Sequence, residues 1–230
     1  VEGITACFAK NAEEAACMLQ SDFEKIPLLV DENADFLKTA ASLGIEVTCL
    51  IDAIIAKKNL GTSKKMAPLV IALGPGFTAG TSSDADCDAV IETMRGHNLG
   101  RIITEGSALP NTATPGVIGG AGKERVIHSP SAGIIELVHD IGDTVQKDEI
   151  LAYVVTGLNK IPVAATIPGV LRGIIRNEFE VFKGMKIADI DPRSEEQKNC
   201  FTISDKSRAL GNSTLHAVLF MARKKGITLW

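Results

Sequence analysis

The second half of the chain contains an internal repeat, and this repeat limits the folds that the chain can adopt. When Gly133 is aligned with Gly169, Val145 falls on Val181, so the offset is 36 residues at both positions. Each copy consists of short apolar runs separated by turns that contain Gly and Asp. Such a repeat predicts two similar β units packed about a pseudo-two-fold axis. We therefore predict a β domain over residues 126–190.

The repeat resembles the biotinyl/lipoyl-like domains, also called barrel-sandwich hybrids. The resemblance is carried by SPSAG at 129–133, by IGDTVQKDEIL at 141–151 and by the Pro-Gly pair at 168–169. In carriers of this type the modified lysine lies at the tip of a hairpin between the two halves. Here the tip position falls on Leu158, and Lys160 lies two residues further along. We expect neither biotin nor lipoate on Lys160, and we expect the domain to be a docking or structural module.

The first part of the chain, residues 1–125, alternates between apolar runs and helical segments. The runs are VEGITACF, IPLLVD, VTCLIDAII and APLVIALG. Asn11 is a predicted helix cap, with Glu14 three residues further on, and a second helix is expected to stop at Gly44. Short β-branched runs separated by helices are typical of a parallel sheet that is covered on both faces.

Helical spacing returns in the tail, residues 191–230. Ser204 is a candidate N-cap, and a helix is predicted from about Ser213 to Lys225, with Gly226 as its stop. The predicted apolar face of this helix consists of Leu215, Val218, Leu219 and Ala222. Because the β domain is complete without the tail, we expect the tail to pack on the α/β domain.

A glycine-rich loop, GPGFTAG at 74–80, follows the fourth apolar run. Its glycines permit tight turns that bring backbone N–H groups near a ligand. A helix predicted from Ala85 to Met94 would complete an arrangement of strand, glycine loop and helix N-terminus, which suits anions. The candidate ligand-binding residues of this loop are Gly74, Gly76, Thr78 and Gly80.

Three aspartates, Asp84, Asp86 and Asp88, lie at the start of that predicted helix. Acidic residues in a first helical turn offset the helix dipole, and this explanation is favoured over a Mg²⁺ site. We therefore assign no metal site.

Arg95 and His97 follow the predicted helix, and Glu105 lies a little further along. An Arg and a His beside a glycine loop can bind an anion or move a proton. The alternative is a helix C-terminus that carries cations and is closed by Gly96. The sequence leaves both interpretations open, with His97 and Glu105 as candidate acid–base groups.

A second polar, glycine-rich stretch begins at Asn111 and Thr112. It is either a loop between domains or one wall of a cleft, and pockets are frequent at domain junctions. We predict that the ligand lies in an interdomain cleft lined by the glycine loop, Arg95, His97, Asn111 and Thr112.

Composition excludes several classes of function. The 230 residues carry a net charge of −4, which argues against an electrostatic nucleic-acid binder. No apolar run approaches the ~20 residues that a membrane span needs, and the N-terminus does not read as a signal peptide. The five cysteines form no CxxC pair, which fits reduced thiols and a cytoplasmic location.

Five motifs, in this order along the chain, resemble the YqeB-like accessory proteins of the selenium-dependent molybdenum hydroxylase system. They are GPGFTAG, DAVIETMRGHNLGRII, PNTATPG, KIADIDPR and CFTISDKSRALG. The resemblance covers essentially the whole chain, and it implies a Rossmann-like N-terminal part followed by a biotinyl-like β domain. Members of this family also carry an earlier glycine-rich turn, so the resemblance implies that this chain is truncated before VEGITA. The sequence after SDKSRALG departs from the family pattern.

The resemblance implies an accessory factor that helps to mature molybdenum hydroxylases of the xanthine-dehydrogenase type. Its partner would be the hydroxylase or a cofactor-loading protein, and its ligand a molybdopterin-type cofactor or a nucleotide, both of which are phosphorylated. Selenium or sulfur delivery usually needs a thiolate, and Cys200, which precedes a helix N-terminus, is a candidate carrier. The alternative function is a nucleotide-dependent oxidoreductase or transferase that uses the same cleft.

Overall fold

The computed structural model describes residues 1–21, 24–112 and 116–229. The chain divides into two compact units. Unit 1 comprises residues 1–111 and 203–230, and unit 2 comprises residues 112–202. Among the described residues there is no helix long and apolar enough to cross a membrane.

Unit 1 begins with a parallel pair of strands joined by a helix. Strand β1 is Thr5–Ala9, helix α1 is Ala12–Ser21 and strand β2 is Lys25–Leu29. The predicted cap of α1 is confirmed, because the Glu14 N–H donates to Asn11 Oδ1 at 2.9 Å. The Glu14 carboxylate in turn accepts from the Lys10 N–H at 2.9 Å, which is a reciprocal capping arrangement.

A second sheet forms the centre of unit 1. Two short helical turns precede it, α2 at Phe36–Thr39 and a 3₁₀ turn at Ala40–Leu43, and the left-handed Gly44 ends them as predicted. The sheet has the strand order β3-β4-β6-β7, where β3, β4 and β6 are parallel and β7 is antiparallel to β6. A small antiparallel pair, β5-β8, forms a separate sheet that packs against it, because Ala79 shares a core with Val70 and Val90. The bounds are β3 Cys49–Asp52, β4 Leu69–Leu73, β5 Thr78–Ala79, β6 Ala89–Ile91, β7 Ile102–Ile103 and β8 Gly106–Ser107.

The C-terminal helix α3, Asp205–Lys225, covers one face of this sheet. Ser204 caps it by accepting from the Ser207 N–H, and the left-handed Gly226 ends it, both as predicted. Its packing against the α/β unit is also confirmed, because Leu210, Ala217 and Met221 form one core with alternate residues of β4. Of the predicted apolar face, Val218 and Ala222 are confirmed because they lie in or against this core, whereas the predicted start and the other two residues of the face were wrong. The helix begins eight residues earlier than expected, and Leu215 and Leu219 are 59% and 41% exposed.

The helix predicted from Ala85 to Met94 is absent, and this prediction was wrong. The segment instead contains strand β6, whose three residues are fully buried between β4 and β7. The carboxylates of Asp86 and Asp88, which suggested a first helical turn, instead accept backbone N–H groups from Thr78 and Val70. These contacts hold the segment extended.

Unit 2 consists of two four-stranded antiparallel sheets. One has the order β13-β12-β10-β15, and the other has the order β11-β14-β16-β9. Short 3₁₀ turns at Lys123–Arg125 and Ser194–Asn199 flank the strands. The bounds are β9 Val126–His128, β10 Gly133–Leu137, β11 Thr144–Val145, β12 Ile150–Thr156, β13 Asn159–Ala164, β14 Gly169–Ile174, β15 Glu180–Val181 and β16 Lys186–Asp191.

The strands of unit 2 repeat at the offset seen in the sequence. β10, β11 and β12 begin 36 residues before β14, β15 and β16. The pairing has the same symmetry: Gly133 pairs with Val181 across β10 and β15, and Gly169 pairs with Val145 across β14 and β11. Each half therefore lends its short strand to the sheet of the other half, and the two sheets share one apolar core. The internal repeat is thus confirmed, while the names Rossmann-like and barrel-sandwich hybrid stay predictions.

Candidate functional site

Gly74 and Gly76 of the predicted ligand loop pack closely against neighbouring segments of unit 1. Gly76 has a φ of +106°, and a Cβ there would lie 2.4 Å from Lys58 Cα. A Cβ on Gly74 would lie 2.8 Å from Thr93 Oγ1, and the Gly74 N–H donates to Ile91 O at 2.8 Å. Close approach of neighbouring segments therefore accounts for both glycines.

Thr78 and Gly80, the other predicted residues of this loop, are held by the acidic segment. The Thr78 N–H donates to Asp86 Oδ2 at 2.8 Å, and the Gly80 N–H donates to Cys87 O at 3.3 Å. Asp86 also accepts from the Asn59 amide at 2.9 Å. Hydrogen bonds to Asp86 and Cys87 therefore hold the backbone of the loop. The Gly80 carbonyl accepts a hydrogen bond from Lys64.

Arg95 lies in the turn after β6, where it pairs with the first residue of α3. Its guanidinium binds Asp205 through two hydrogen bonds of 2.8 and 3.1 Å. The same pair holds the pKa of Asp205 well below its usual range. The alternative of a helix C-terminus closed by Gly96 was wrong, because the residues directly before Arg95 belong to strand β6 and a non-helical connection.

Glu105 lies beside the glycine loop, because a Cβ on Gly80 would be 3.8 Å from its Oε2, and both Glu105 and His97 are exposed in unit 1. Asn111 ends the first segment of unit 1 and Thr112 opens unit 2. Ligand contacts of Gly74, Gly76, Thr78, Arg95, His97, Asn111 and Thr112 stay predictions.

Cys200 does not have the environment expected of a thiolate carrier. It follows the 3₁₀ turn Ser194–Asn199, and its Sγ faces the Glu196 carbonyl at 3.9 Å. Burial raises the pKa of its thiol, and the field of Arg172 opposes this only in part. The expectation that a helix N-terminus lowers this pKa was therefore wrong.

Lys160 lies where the sequence places it, beside the hairpin tip. Gly157 and Leu158 form the turn between β12 and β13, and Leu158 is fully exposed. Lys160 is the second residue of β13, and its Nζ lies 2.6 Å from Glu136 Oε1. The predicted position on the strand flank is confirmed.

A cationic pocket, which we call the lysine pocket, lies in unit 1 beside Gly80. It has a volume of about 240 Å³, and its three ammonium groups come from Lys64, Lys224 and Lys225. The other residues that line it are Gly80, Thr81, Asp88, Thr104 and Met221.

The buried Asp88 carboxylate holds two of the lysines that line the lysine pocket. It is 5% exposed and precedes β6, and its Oδ2 accepts from the Val70 N–H at 2.9 Å. Lys225 Nζ lies 3.0 Å from both carboxylate oxygens and 2.6 Å from Pro68 O. Lys64 Nζ donates to Gly80 O at 2.7 Å and lies 3.4 Å from Asp88 Oδ1.

The charges of the lysine pocket are unbalanced in favour of cations. The lining holds three lysines and one carboxylate, Asp88, which pairs with Lys64 and Lys225. The three N–H groups of Lys225 are used by Pro68 and Asp88, whereas Lys224 makes no hydrogen bond or ion pair with the described residues. The pocket therefore has donors left for an anion, namely the Lys224 ammonium and the hydroxyls of Thr81 and Thr104.

Metal binding has no support among the described residues, where no group of three or more His, Cys, Asp or Glu could hold an ion. The Asp86 carboxylate accepts from the Asn59 amide and the Thr78 N–H, and the Asp88 carboxylate pairs with Lys64 and Lys225.

Sequence reasoning found Gly80 but missed the rest of the lysine pocket. Lys225 was predicted only as the last residue of the C-terminal helix, before the stop at Gly226, and that prediction is also correct. Its partner Asp88 lies 137 residues away in the chain. The spacing of residues carries no signal for such a contact.

The sequence was compared with known proteins, and no family model matches it. It is 42% identical over 221 residues to the uncharacterized protein YqeB of Escherichia coli (strain K12). The aligned part covers 96% of this chain but only 38% of that protein.

Several solved structures show a weak likeness. An aspartoacylase family protein from Mesorhizobium loti matches with a TM-score of 0.28 at 20% identity, over 31% of this chain and 24% of that chain. A succinylglutamate desuccinylase from Silicibacter sp. TM1040 matches with a TM-score of 0.28 at 14% identity, over 82% of this chain and 84% of that chain. Likenesses at these TM-scores support no conclusion about fold or activity. In sequence, over nearly all of its residues, the chain is YqeB-like.

Proposed function

We propose that this chain binds a phosphorylated ligand in the lysine pocket, and that it does so as an accessory factor in the maturation of selenium-dependent molybdenum hydroxylases. The observation that carries the ligand class is the charge of the pocket, which is lined by three lysines and one buried carboxylate, and two of those lysines already contact that carboxylate. The maturation role rests on the resemblance of the five ordered motifs.

The hydrogen bonds that the three lysines already make support a phosphate group as the ligand. Lys225 and Asp88 form a fixed floor, because both are saturated by each other and by backbone groups. Lys64 is fixed at the rim by Gly80 O and keeps part of its donor capacity. Lys224 and the two threonine hydroxyls then supply donors that a phosphate's several oxygens can accept together.

The binding half of the proposal is tested by calorimetric titration of the chain with inorganic phosphate and pyrophosphate. Lys224→Ala is the informative variant, since Lys224 is exposed and supports no other part of the fold. We expect it to weaken binding about tenfold or more, because a hydrogen bond to a charged group contributes roughly 1.5–3 kcal/mol. Arg223→Ala, one residue away and outside the pocket, is the matched control and should change binding far less. Equal losses in the two variants would show a diffuse electrostatic effect and reject the pocket.

The maturation half is tested in the host. The gene is deleted, the molybdenum hydroxylase is purified, and its selenium and molybdenum contents are measured. We expect loss of selenium, of molybdenum or of both, and restoration by the Arg223→Ala gene but not by the Lys224→Ala gene. A fully loaded and active hydroxylase from the deletion strain would refute the maturation role and leave the binding result standing.

A further inference from the structure

The lysine pocket is too small to enclose a whole organic ligand. Its volume is about 240 Å³, whereas pockets that bury most of a drug-sized molecule measure roughly 300–1,000 Å³. A phosphate group and a few further atoms fill such a space, and a ring system with its substituents does not. The remainder of a larger phosphorylated ligand must therefore extend out of the mouth of the pocket.

Three chain segments contribute hydrogen-bond donors to the walls of the lysine pocket. Thr81 follows the glycine loop, which also accepts a hydrogen bond of 2.7 Å from Lys64. Thr104 follows β7, which is antiparallel to β6, so it lies at the edge of the sheet where Asp88 precedes β6. Lys224 comes from the last turn of α3. Donors from separate segments can contact different oxygen atoms of one phosphate group.

A terminal phosphate group suits these donors better than a phosphodiester does. A monoester has three free oxygens and carries close to two negative charges above its second pKa, which is about 6. A diester has two free oxygens, one charge and a second organic substituent that also has to leave the pocket. The small volume and the donors of Lys224, Thr81 and Thr104 therefore favour a monoester.

An apolar side chain, that of Met221, also lines the lysine pocket. Met221 lies one helical turn before Lys225 in α3, so the two side chains share a face of the helix. It also belongs to the core that α3 forms with β4. The unbranched side chain of methionine adapts to irregular apolar neighbours. Carbon atoms next to a bound phosphate therefore have an apolar contact at Met221.

We propose that the lysine pocket selects the terminal phosphate of a phosphomonoester, whose first carbon atoms pack on Met221 while the rest of the ligand stays outside. This inference rests on the proposed function, because it specifies the phosphorylated ligand of the same site. Phosphodiesters, including dinucleotides joined through a pyrophosphate, are poor ligands of this pocket.

The test is calorimetric titration of the chain at pH 8 with inorganic phosphate, methyl phosphate, ethyl phosphate and diethyl phosphate. Ethyl phosphate should bind more tightly than methyl phosphate, by up to about fourfold, which corresponds to burial of one methylene group. Diethyl phosphate should bind about tenfold more weakly than ethyl phosphate or worse, because it loses a hydrogen bond between charged groups.

Two variants of Met221 test the apolar contact, with inorganic phosphate as the internal control. Met221→Leu nearly conserves the volume of the side chain, and it should keep the preference for ethyl over methyl phosphate. Met221→Ala should lose this preference while still binding inorganic phosphate. If Met221→Ala does not fold, the comparison of ethyl with diethyl phosphate in the unchanged chain decides the question.

The outcomes separate this inference from the proposed function. If inorganic phosphate does not bind, the proposed function fails and the inference fails with it. If inorganic phosphate binds but diethyl phosphate binds as tightly as ethyl phosphate, the inference is wrong and the proposed function stands. The same conclusion follows if ethyl phosphate binds no better than methyl phosphate.

Discussion

Lys225 and Asp88 join the two chain segments that make up unit 1. The Lys225 ammonium lies 3.0 Å from both oxygens of the Asp88 carboxylate, although the two residues are 137 positions apart. Asp88 leads into β6 and binds the backbone of Val70 in β4, so this one carboxylate connects two strands to the last turn of α3. The lysine pocket and the fold of unit 1 therefore depend on the same group.

Replacing Asp88 by Asn should destabilise unit 1 by roughly 1.5–3 kcal/mol, because the neutral amide loses the charge-assisted contacts with Lys64 and Lys225. The free energy of unfolding in urea measures this effect. Asp84→Asn is the matched control, since Asp84 is exposed and, among the described residues, its side chain hydrogen-bonds only to the neighbouring Ser83. A similar small change in both variants would contradict the structural role of Asp88.

Gly76→Ala should be more harmful than Gly96→Ala. Both positions have a positive φ, at +106° and +125°, so both variants carry backbone strain. Only at position 76 does the new Cβ meet another segment, at 2.4 Å from Lys58 Cα, whereas nothing lies within 4 Å at position 96. We expect an additional loss of roughly 1–3 kcal/mol at position 76, which is the usual cost of overpacking. Equal thermal stabilities of the two variants would show that the loop is not held as described.

Thiol reactivity should follow burial. At pH 8, iodoacetamide should label the exposed Cys17 before Cys200, because burial raises the pKa of the Cys200 thiol and reduces its thiolate fraction. Cys87 should react last, since burial raises its pKa to about 12. Mass spectrometry of the labelled peptides gives the order. Fastest labelling at Cys200 would revive a carrier role for that residue.

Unit 2 should lose stability in acid partly through Asp191. Hydrogen bonds from Arg193 lower the pKa of this buried carboxyl below its usual value near 4. The pair therefore stabilises the fold above that value, and the contribution is lost as the pH falls through the lower, folded pKa. Asp191→Asn should flatten the dependence of the unfolding free energy on pH below about 4. An unchanged slope in that range would exclude Asp191 as a source of acid sensitivity.

Features that are local in the chain could be predicted from the sequence. The caps at Asn11 and Ser204 and the stop at Gly226 use residues within four positions of each other. The repeat is visible because similar residues recur around Gly133 and Gly169, which share a positive φ. Lys160 could be placed because the hairpin length fixes the tip at Leu158.

Features that depend on distant partners could not be predicted. The aspartates after Gly80 imitate the first turn of a helix, yet their oxygens bind Thr78, Asn59 and Val70, which lie elsewhere in the chain. The prediction for the apolar face of α3 was wrong at Leu215 and Leu219, because these two exposed residues satisfy helical spacing as well as the buried residues do. The residues that line the lysine pocket lie between positions 64 and 225. No pattern of spacing within the chain predicts that residues so far apart will meet.

The central claim is that the lysine pocket binds phosphate, and backbone amide NMR during a phosphate titration tests it most directly. We predict saturable shifts of the amide signals of Gly80, Thr81, Thr104 and Lys224, which surround the pocket. The same titration of Lys224→Ala should require much higher phosphate concentrations for the same shifts. Shifts confined to other residues, or a linear response with no saturation, would contradict the claim.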